Sequence, residues 1–394
     1  MPGTRRPAGP TAGGEPPLRI LQLTAPGRFG GLETVVRQLS TGLANRGHQV
    51  RVACRLDETD DAAEHSFVAT LRGDGIPVET IQLPHRAYRR ERAAFTHLIE
   101  RFECEVVHTH GYHADVIGAL AARAGSTPHV ATAHGFTGGG CRNRLYEYLQ
   151  RRSYRSAAAV VAVSRPIADR LMRDDAVAPA VRYLQNAWVR RTDGLPREQA
   201  RRSLGLDLDG FVAGWVGRMS REKAPDLIVE ALRHPEAADL TLCMVGDGAL
   251  RDELRASSGV GRADGGARIL WPGAVPDAGR LFAAFDVLVL SSRTEGTPMV
   301  LFEAMDANVP IVATRVGGVP DVVGSAEALL IAPDDPAALR ESVLAVARDP
   351  VAARRRAKRA EVRLASEFGP DAWLDAHEAM YRDVIAGSPG PVGR

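Results

Sequence analysis

Short apolar runs alternate with amphipathic helical patterns along most of the chain, and this alternation limits the available folds more than any other feature. Leu18 to Leu23 reads as a buried strand, Gly30 to Arg46 as an amphipathic helix stopping at Gly47, and Gln49 to Cys54 as the next strand. Val106 to Thr109, Val130 to Thr132, Ala159 to Val163 and Val181 to Leu184 continue the series. After a polar, Arg-rich linker from Arg190 to Arg202, a second series begins: Phe211 to Val216, Thr241 to Val245, Ile269 to Trp271, Val287 to Leu290, Ile311 to Ala313 and Ala328 to Ile331. Near-continuous apolar strands separated by helices mark parallel sheets covered on both faces. The expected fold class is therefore α/β, with two doubly wound parallel-sheet domains over residues 18–190 and 191–370 facing a cleft. The segment 371–386 is expected to pack back on the first domain, and residues 1–17, rich in Pro, Gly and Thr, to form a flexible tail.

Ligands of such sheets bind beyond the carboxyl ends of the strands, so the loops there carry the functional argument. The most informative is Ser292 to Met305, where Glu295 and Glu303 stand on either side of a helix start. Thr297 suits the N-cap and Pro298 the first helical position. The N–H groups of Met299 and Val300, with Leu301 behind them, would then face an anion at the positive end of the helix dipole. At 1.5 Å rise per residue the two glutamates would lie roughly 10 Å apart. That layout suits a diphosphate with a hydroxylated ring at each end, although a capping carboxylate and a solvated side chain would give the same spacing.

Other strand ends carry compatible groups. Gly27 to Glu33 is a glycine-rich turn feeding a helix, in which Gly30 and Gly31 would let backbone N–H groups approach a phosphate; a tight turn without ligand reads the same. Gly217-Arg218-Met219-Ser220-Arg221-Glu222-Lys223 offers a planar fork at Arg218 and a point charge at Lys223, both suited to a diphosphate leaving group, against the alternative of solvated loop cations. Lys223 and Lys358 are the only lysines among the basic residues. The Val245-Gly246-Asp247-Gly248 turn would let backbone pass near a nucleotide, but it lacks the third glycine of a dinucleotide fingerprint. His134, before Gly135 and after a strand, is placed to meet a sugar hydroxyl. His108, His110 and His113 lie on an extended segment whose spacing does not converge on a metal, and Asp207-Leu208-Asp209 sits in a polar turn where Asp is favoured anyway. No metal site and no cofactor are expected.

Composition narrows the class further. The hydrophobic share of 45% over 394 residues suits a soluble globular enzyme. No apolar run approaches the roughly 20 residues of a membrane helix, and the N-terminus has no apolar secretory segment, so a cytoplasmic location is expected. Cys54, Cys104, Cys141 and Cys243 lie far apart, against a zinc site or a disulfide framework. Net charge is only +2, yet Leu18 to Arg191 holds 24 Arg and no Lys against 17 acidic residues. The runs Arg86, Arg89, Arg90, Arg92 and Arg142, Arg144, Arg151, Arg152, Arg155 carry much of that surplus. It reads either as a solvated face or as attraction to an anionic partner, such as substrate phosphates or, peripherally, a membrane bearing a lipid-linked acceptor. Nucleic acid is not expected, because no aromatic pattern accompanies the cations.

In order and spacing these segments resemble the retaining glycosyltransferases of family 4, glycosyl transferases group 1, with the GT-B fold of two Rossmann-like domains. The resemblance runs from Leu18 to about Ile385. It rests on Gly30 to Glu33, His134-Gly135, Ala159 to Pro166, Gly217-Arg218 with Lys223, Val245 to Gly248, and the Glu295–Glu303 pair with Val316-Gly317-Gly318-Val319-Pro320 after it. It implies a metal-independent enzyme that moves a sugar from a nucleotide-diphosphate sugar to a sugar or lipid-linked acceptor in polysaccharide or glycoconjugate synthesis. Glu295 would bind donor-sugar hydroxyls, Glu303 the ribose, Arg218 and Lys223 the diphosphate with N–H groups near Gly31, Met299 and Val300, and His134 the reactive end of the sugar. Base recognition is expected around Gly273 to Val275 and acceptor choice in loops such as Phe136 to Arg144.

Three turns depart from the family pattern: Asn186-Ala187 for Asn-Gly, Lys223-Ala224 for Lys-Gly, and Asn308 for a Gly before Val-Pro. None removes a charged group, though Ala224 bears on how Lys223 is presented. Two other enzyme classes share parts of the pattern. A GT-B sugar-nucleotide epimerase needs acid and base carboxylates near His134, where none is evident, and a nicotinamide-dependent oxidoreductase needs the full glycine fingerprint. A non-catalytic sugar-nucleotide binder is the remaining alternative.

Overall fold

The computed structural model describes residues 15–27, 30–136, 141–174, 180–190, 193–257 and 265–387. Most of the expected N-terminal tail, Arg28 and Phe29 of the first glycine turn, Arg191 of the linker and residues 137–140 of the expected acceptor loop lie outside the described residues. The chain divides into two compact units. The first holds residues 1–134, 138–187 and 370–394, and the second holds 135–137 and 188–369.

Among the described residues the first unit is built on seven parallel strands: β1 (Arg19–Thr24), β2 (Gln49–Asp57), β3 (Val78–Leu83), β4 (Val106–His110), β5 (His129–Ala133), β6 (Ala159–Ala162) and β7 (Val181–Tyr183). Their order, β3-β2-β1-β4-β5-β6-β7, reverses direction between β1 and β4. All pairs are parallel and in register, for instance Ile20 with Val50 on one side and Val106 on the other. The central strands are buried on both faces, which is why they read as continuous apolar runs. Only β3 was not legible as a strand: VETIQL is half-buried at the sheet edge, and its polar Glu79 and Gln82 break the apolar run. The helix Pro370–Ile385 belongs to this unit, where Arg46 ties to Asp375 at 2.6 Å and Glu378 at 2.9 Å.

The second unit repeats the plan with β8 (Phe211–Val216), β9 (Leu240–Val245), β10 (Arg268–Gly273), β11 (Val287–Leu290), β12 (Ile311–Thr314) and β13 (Leu329–Ile331), in the order β10-β9-β8-β11-β12-β13. Its reversal lies between β8 and β11. Gly214 in β8 is fixed by packing, since a Cβ there would meet the Phe285 ring at 2.5 Å. Fully buried Trp215, Phe282 and Phe302 anchor this core, each worth roughly 1.5–3 kcal/mol by burial. The segment read as a polar linker contains the helix Arg197–Ser203. Arg201 within it is fully buried, donating to the carbonyls of Ala284, Asp207, Leu208 and Gly210 and to Asp286 at 2.8 Å. A guanidinium with that many acceptors is structural, which a count of charges could not reveal. Asp207 of the Asp-Leu-Asp turn is likewise committed, to Arg268 at 2.7 Å.

Two of the three departures from the family pattern sit where a left-handed residue is needed: Ala224 has φ 48° and Asn308 φ 54°. Ala187 does not, so glycine freedom is not required there. The buried Cys54, Cys104 and Cys243 are free thiols, and burial pushes each up to about 12. The Cys141 side chain lies outside the described residues.

Candidate functional site

In the second unit, the loops after β8 and β11 flank the strand-order reversal, where open α/β sheets bind ligands. They bring Lys223 and Glu295 together: the Lys223 ammonium lies 2.7 Å from Oε1 and 2.8 Å from Oε2 of Glu295. Glu295 is 9% exposed, and the hydroxyl of Ser292 donates to its Oε1 at 2.6 Å. Two charges assigned separate tasks from the sequence thus form one charge-assisted pair.

The backbone around the pair is tightly constrained. Gly217 N–H donates to Val245 O at 3.0 Å and Met219 N–H to Asp247 O at 2.8 Å, so the loops after β8 and β9 are laced together. Gly246, at φ 137°, has no room for a Cβ because the Gly217 carbonyl oxygen occupies that space; Gly248, at φ 153°, would meet Met219 O at 2.5 Å. Gly317, at φ 49°, packs in the same way against the backbone of Glu295. Glycines read as ligand approaches therefore also hold one functional loop against another.

Two serines that the sequence did not single out support the pair. Ser291 Oγ donates to Ala224 O at 2.7 Å and receives Trp215 Nε1–H at 3.0 Å, which fixes the backbone just after Lys223. Ser292 is held through its carbonyl by Thr314 Oγ1 at 2.6 Å. Arg293 locks the same loop to Asp226 and Asp334, each at 2.6 Å, and these carboxylates hold its pKa above the ordinary arginine value. The only sequence signal for the serines is their place immediately after a buried strand.

The remaining expected residues of the second unit lie on the same loops and on the helix that follows the second of them. Arg218 is mostly exposed, with its guanidinium 3.4 Å from Glu222. The helix begins at Met299, so Pro298 occupies the N-cap with extended ψ of 103°, one position later than expected for Thr297. The cause lies in the first turn: Pro298 keeps an extended conformation, and its carbonyl accepts from the Leu301 N–H at 3.0 Å. Leu301 is fully buried and Met299 nearly so, whereas Val300 and Glu303 are half-buried. Leu301 therefore belongs to the core.

In the first unit, the corresponding reversal lies beside Gly30 and Gly31, both exposed after β1. Gly30 is extended at φ 172°, and Glu33 in the first helical turn accepts the Gly27 N–H at 2.7 Å. A side-chain chain runs inward from His134. His134 Nε2 is 3.0 Å from His110 Nδ1, and His110 Nε2 is 2.7 Å from Gln22 Oε1. Gln22 Nε2 faces the Tyr381 hydroxyl at 3.4 Å, which is 2.6 Å from His108 Nδ1, and His108 Nε2 reaches Thr132 Oγ1 at 2.7 Å. The carbonyl oxygen of Gln22 can only accept, so His110 carries its proton on Nε2 and accepts at Nδ1. His134 must then donate from Nε2 and keep a lone pair on Nδ1. Burial pushes the His134 imidazole down to about 4 and lowers His108 and His110 as well, so all three are neutral near pH 7.

His108 and His110 thus serve a hydrogen-bond chain, while His113 pairs with buried Glu91 at 2.6 Å. Gln22 and Tyr381 were not anticipated; the signal was Gln22 interrupting the apolar run Ile20 to Leu23. Nearby, Asp115 is buried and accepts from Thr109 at 2.6 Å, Gln150 at 2.7 Å and Tyr154 at 3.1 Å; burial nonetheless pushes it up to about 7. Among the described residues no helix is long and apolar enough to cross a membrane.

Comparison with known proteins bears on the family and the fold. Residues 29–187 match the model described as Glycosyltransferase Family 4, and residues 210–349 match Glycosyl transferases group 1. The chain is 29% identical to D-inositol 3-phosphate glycosyltransferase 1 of Catenulispora acidiphila, over 92% of this chain and 93% of that protein. It is 28% identical to alpha-maltose-1-phosphate synthase of Mycolicibacterium smegmatis, over 71% of this chain and 79% of that one. Among solved structures, Anabaena HepE in complex with UDP and glucose superimposes with a TM-score of 0.79 at 22% identity, covering 93% of this chain and 100% of HepE. With family models matching 29–187 and 210–349 and a solved structure matching over 93% of the chain, the protein belongs to the group 1 glycosyltransferases of family 4 and has the GT-B fold.

Proposed function

We propose that the protein transfers a sugar from a nucleotide-diphosphate sugar to a sugar or lipid-linked saccharide acceptor, with retention at the anomeric carbon and without a metal or other cofactor. The observation that carries this reading is the Lys223–Glu295 pair at the strand-order reversal of the second unit. A buried carboxylate and a partly exposed ammonium, held by glycine-restricted backbone, are ready to exchange each other for ligand groups. Glu295 would accept hydroxyls of the donor sugar and Glu303 those of the ribose. Lys223 and Arg218 would neutralise the diphosphate, with Gly31, Met299 and Val300 supplying backbone. Gly30, Gly217, Gly246 and Gly248 would hold the turns, with Thr297 and Pro298 opening the helix. His134, donating from Nε2, leaves Nδ1 or its backbone carbonyl for the sugar end.

In the reaction the bond from the anomeric carbon to the diphosphate oxygen breaks and the acceptor oxygen bonds to that carbon. The acceptor's proton moves to the departing diphosphate, so no protein carboxylate need act as nucleophile. Arg218 and Lys223 stabilise the charge that develops on the leaving group. HepE was solved with UDP and glucose, which supports a uridine nucleotide as the first donor to try. A lipid-linked acceptor would bring the protein to a membrane surface on its cytoplasmic side. The test is a thermal-shift panel of UDP, GDP, ADP and TDP sugars, followed by nucleoside diphosphate release with acceptor and NMR of the product's anomeric configuration. A ligand at 100 times its Kd stabilises by about 2.7 kcal/mol. Inverted product would refute retention, and absence of a shift with every donor would refute the proposed binding site.

A further inference from the structure

The helix Cys141–Ser153 of the first unit is turned inside out. Its inward residues are polar: Gln150 donates to buried Asp115 at 2.7 Å, and Glu147 pairs with Arg170 at 3.2 Å. Its leucines and tyrosines face outward, beside Asn143, Arg144 and Arg152. Leu145 is 55% exposed, Tyr148 52% and Leu149 38%. Positions 145, 148, 149 and 152 fall on one face at helical spacing, so Leu145, Tyr148, Leu149 and Arg152 form a single stripe, with exposed Arg144 beside it. Arg155, also exposed, follows in the next turn.

A helix in a soluble core normally buries its leucines and exposes its glutamates. Here the fold holds the reverse arrangement through directed polar bonds, so the exposed apolar stripe is not a failure to pack. The charge on this face is of one sign. Glu147, the sole carboxylate in the helix sequence, points inward, leaving arginines around the Leu and Tyr side chains. Leucine and tyrosine ringed by cations match the interfacial zone of an anionic bilayer, where apolar side chains enter the acyl boundary, tyrosine sits at the headgroups and arginine meets phosphate. A second copy of the chain would bring like charges face to face.

We propose that the Leu145–Tyr148–Leu149 stripe, flanked by Arg144 and Arg152, is the surface by which the protein docks on an anionic membrane. It specifies the contact for the membrane association proposed above. Vesicle binding by this face does not require the transfer chemistry, so either can fail alone.

The experiment is co-sedimentation of the full chain with phosphatidylcholine vesicles containing phosphatidylglycerol, and with phosphatidylcholine alone. The wild type should bind the anionic vesicles at low salt and release at high salt. The pair Leu145→Ser with Leu149→Ser, and separately Arg144→Glu with Arg152→Glu, should each weaken partitioning by at least about tenfold. Thermal midpoints should not change, because the altered side chains are exposed. Val351→Ser with Val362→Ser, on the exposed face of a helix in the second unit, should bind like wild type. Absence of wild-type binding, equal binding to neutral vesicles, or full retention by both stripe variants would overturn the proposal. So would sedimentation velocity showing that the stripe variants abolish a dimer while leaving vesicle binding intact.

Discussion

Lys223 and Glu295 neutralise each other, with the ammonium held by both carboxylate oxygens at 2.7 and 2.8 Å. A diphosphate arriving at Lys223 must compete with that carboxylate. Glu295→Gln should therefore bind free UDP about fivefold more tightly, since loss of a partly exposed pair is worth about 1 kcal/mol. Isothermal titration reads this directly. Weaker binding by the variant would mean that Glu295 presents Lys223 to the nucleotide instead of competing for it.

The laced loops predict a sharp contrast between glycines. Gly246→Ala places a methyl group into the Gly217 carbonyl at a left-handed φ and should cost at least about 3 kcal/mol. Gly73→Ala, with open space around it and an ordinary helical φ, should be neutral or stabilising by up to about 1 kcal/mol. Urea denaturation of the two variants checks the pair. Equal effects would contradict the close packing of the loops after β8 and β9.

His134 should carry its proton on Nε2 because Gln22 sets the tautomer of His110. Gln22→Met, of similar size but without the acceptor oxygen, should replace the single His134 tautomer by a mixture, whereas Gln22→Glu should restore it. Long-range proton–nitrogen NMR of the labelled imidazoles measures this. An unchanged His134 signal in Gln22→Met would show that the chain does not reach it.

Acid should destabilise the fold well before the surface carboxylates protonate. His129, His134 and His377 are each held down to about 4 by burial, so between pH 6.5 and 4 the unfolded chain takes up protons that the folded chain refuses. Stability is fully present above the ordinary histidine value and declines as pH falls. Each group costs about 2 kcal/mol by pH 5. Asp115, raised to about 7, acts in the opposite direction, because the folded chain binds its proton first; one carboxyl offsets about one of the three histidines. Denaturant midpoints should fall between pH 7.5 and 5. A flat profile over that range would contradict the neutral imidazole chain.

Strands buried on both faces were the legible part of the fold. Phe211–Val216 and Val287–Leu290 stand where their apolar runs placed them, because a parallel sheet leaves no room for polar side chains there. β3 escaped notice because an edge strand tolerates Glu79 and Gln82. The charged residues of the site were visible through rare chemistry, such as a lysine in an arginine-rich chain. Their mutual pairing was not, because it depends on two loops 72 residues apart meeting at the strand-order reversal. Ser291, Ser292 and Gln22 were hidden for another reason: small polar residues beside apolar strands are common, and only their partners give them a task. Arg201 shows the limit of charge counting, since the same residue type that decorates a surface fills a buried carbonyl cluster here.

The most direct test is nucleoside diphosphate release from a nucleotide sugar in the presence of acceptor, compared between wild type and Glu295→Gln at saturating donor. With Glu295 holding the donor sugar, turnover should fall at least about tenfold in the variant, a loss of about 1.4 kcal/mol or more of transition-state stabilisation, although the free diphosphate binds more tightly. Wild-type turnover by Glu295→Gln with the same donor would contradict the role assigned to the Lys223–Glu295 pair.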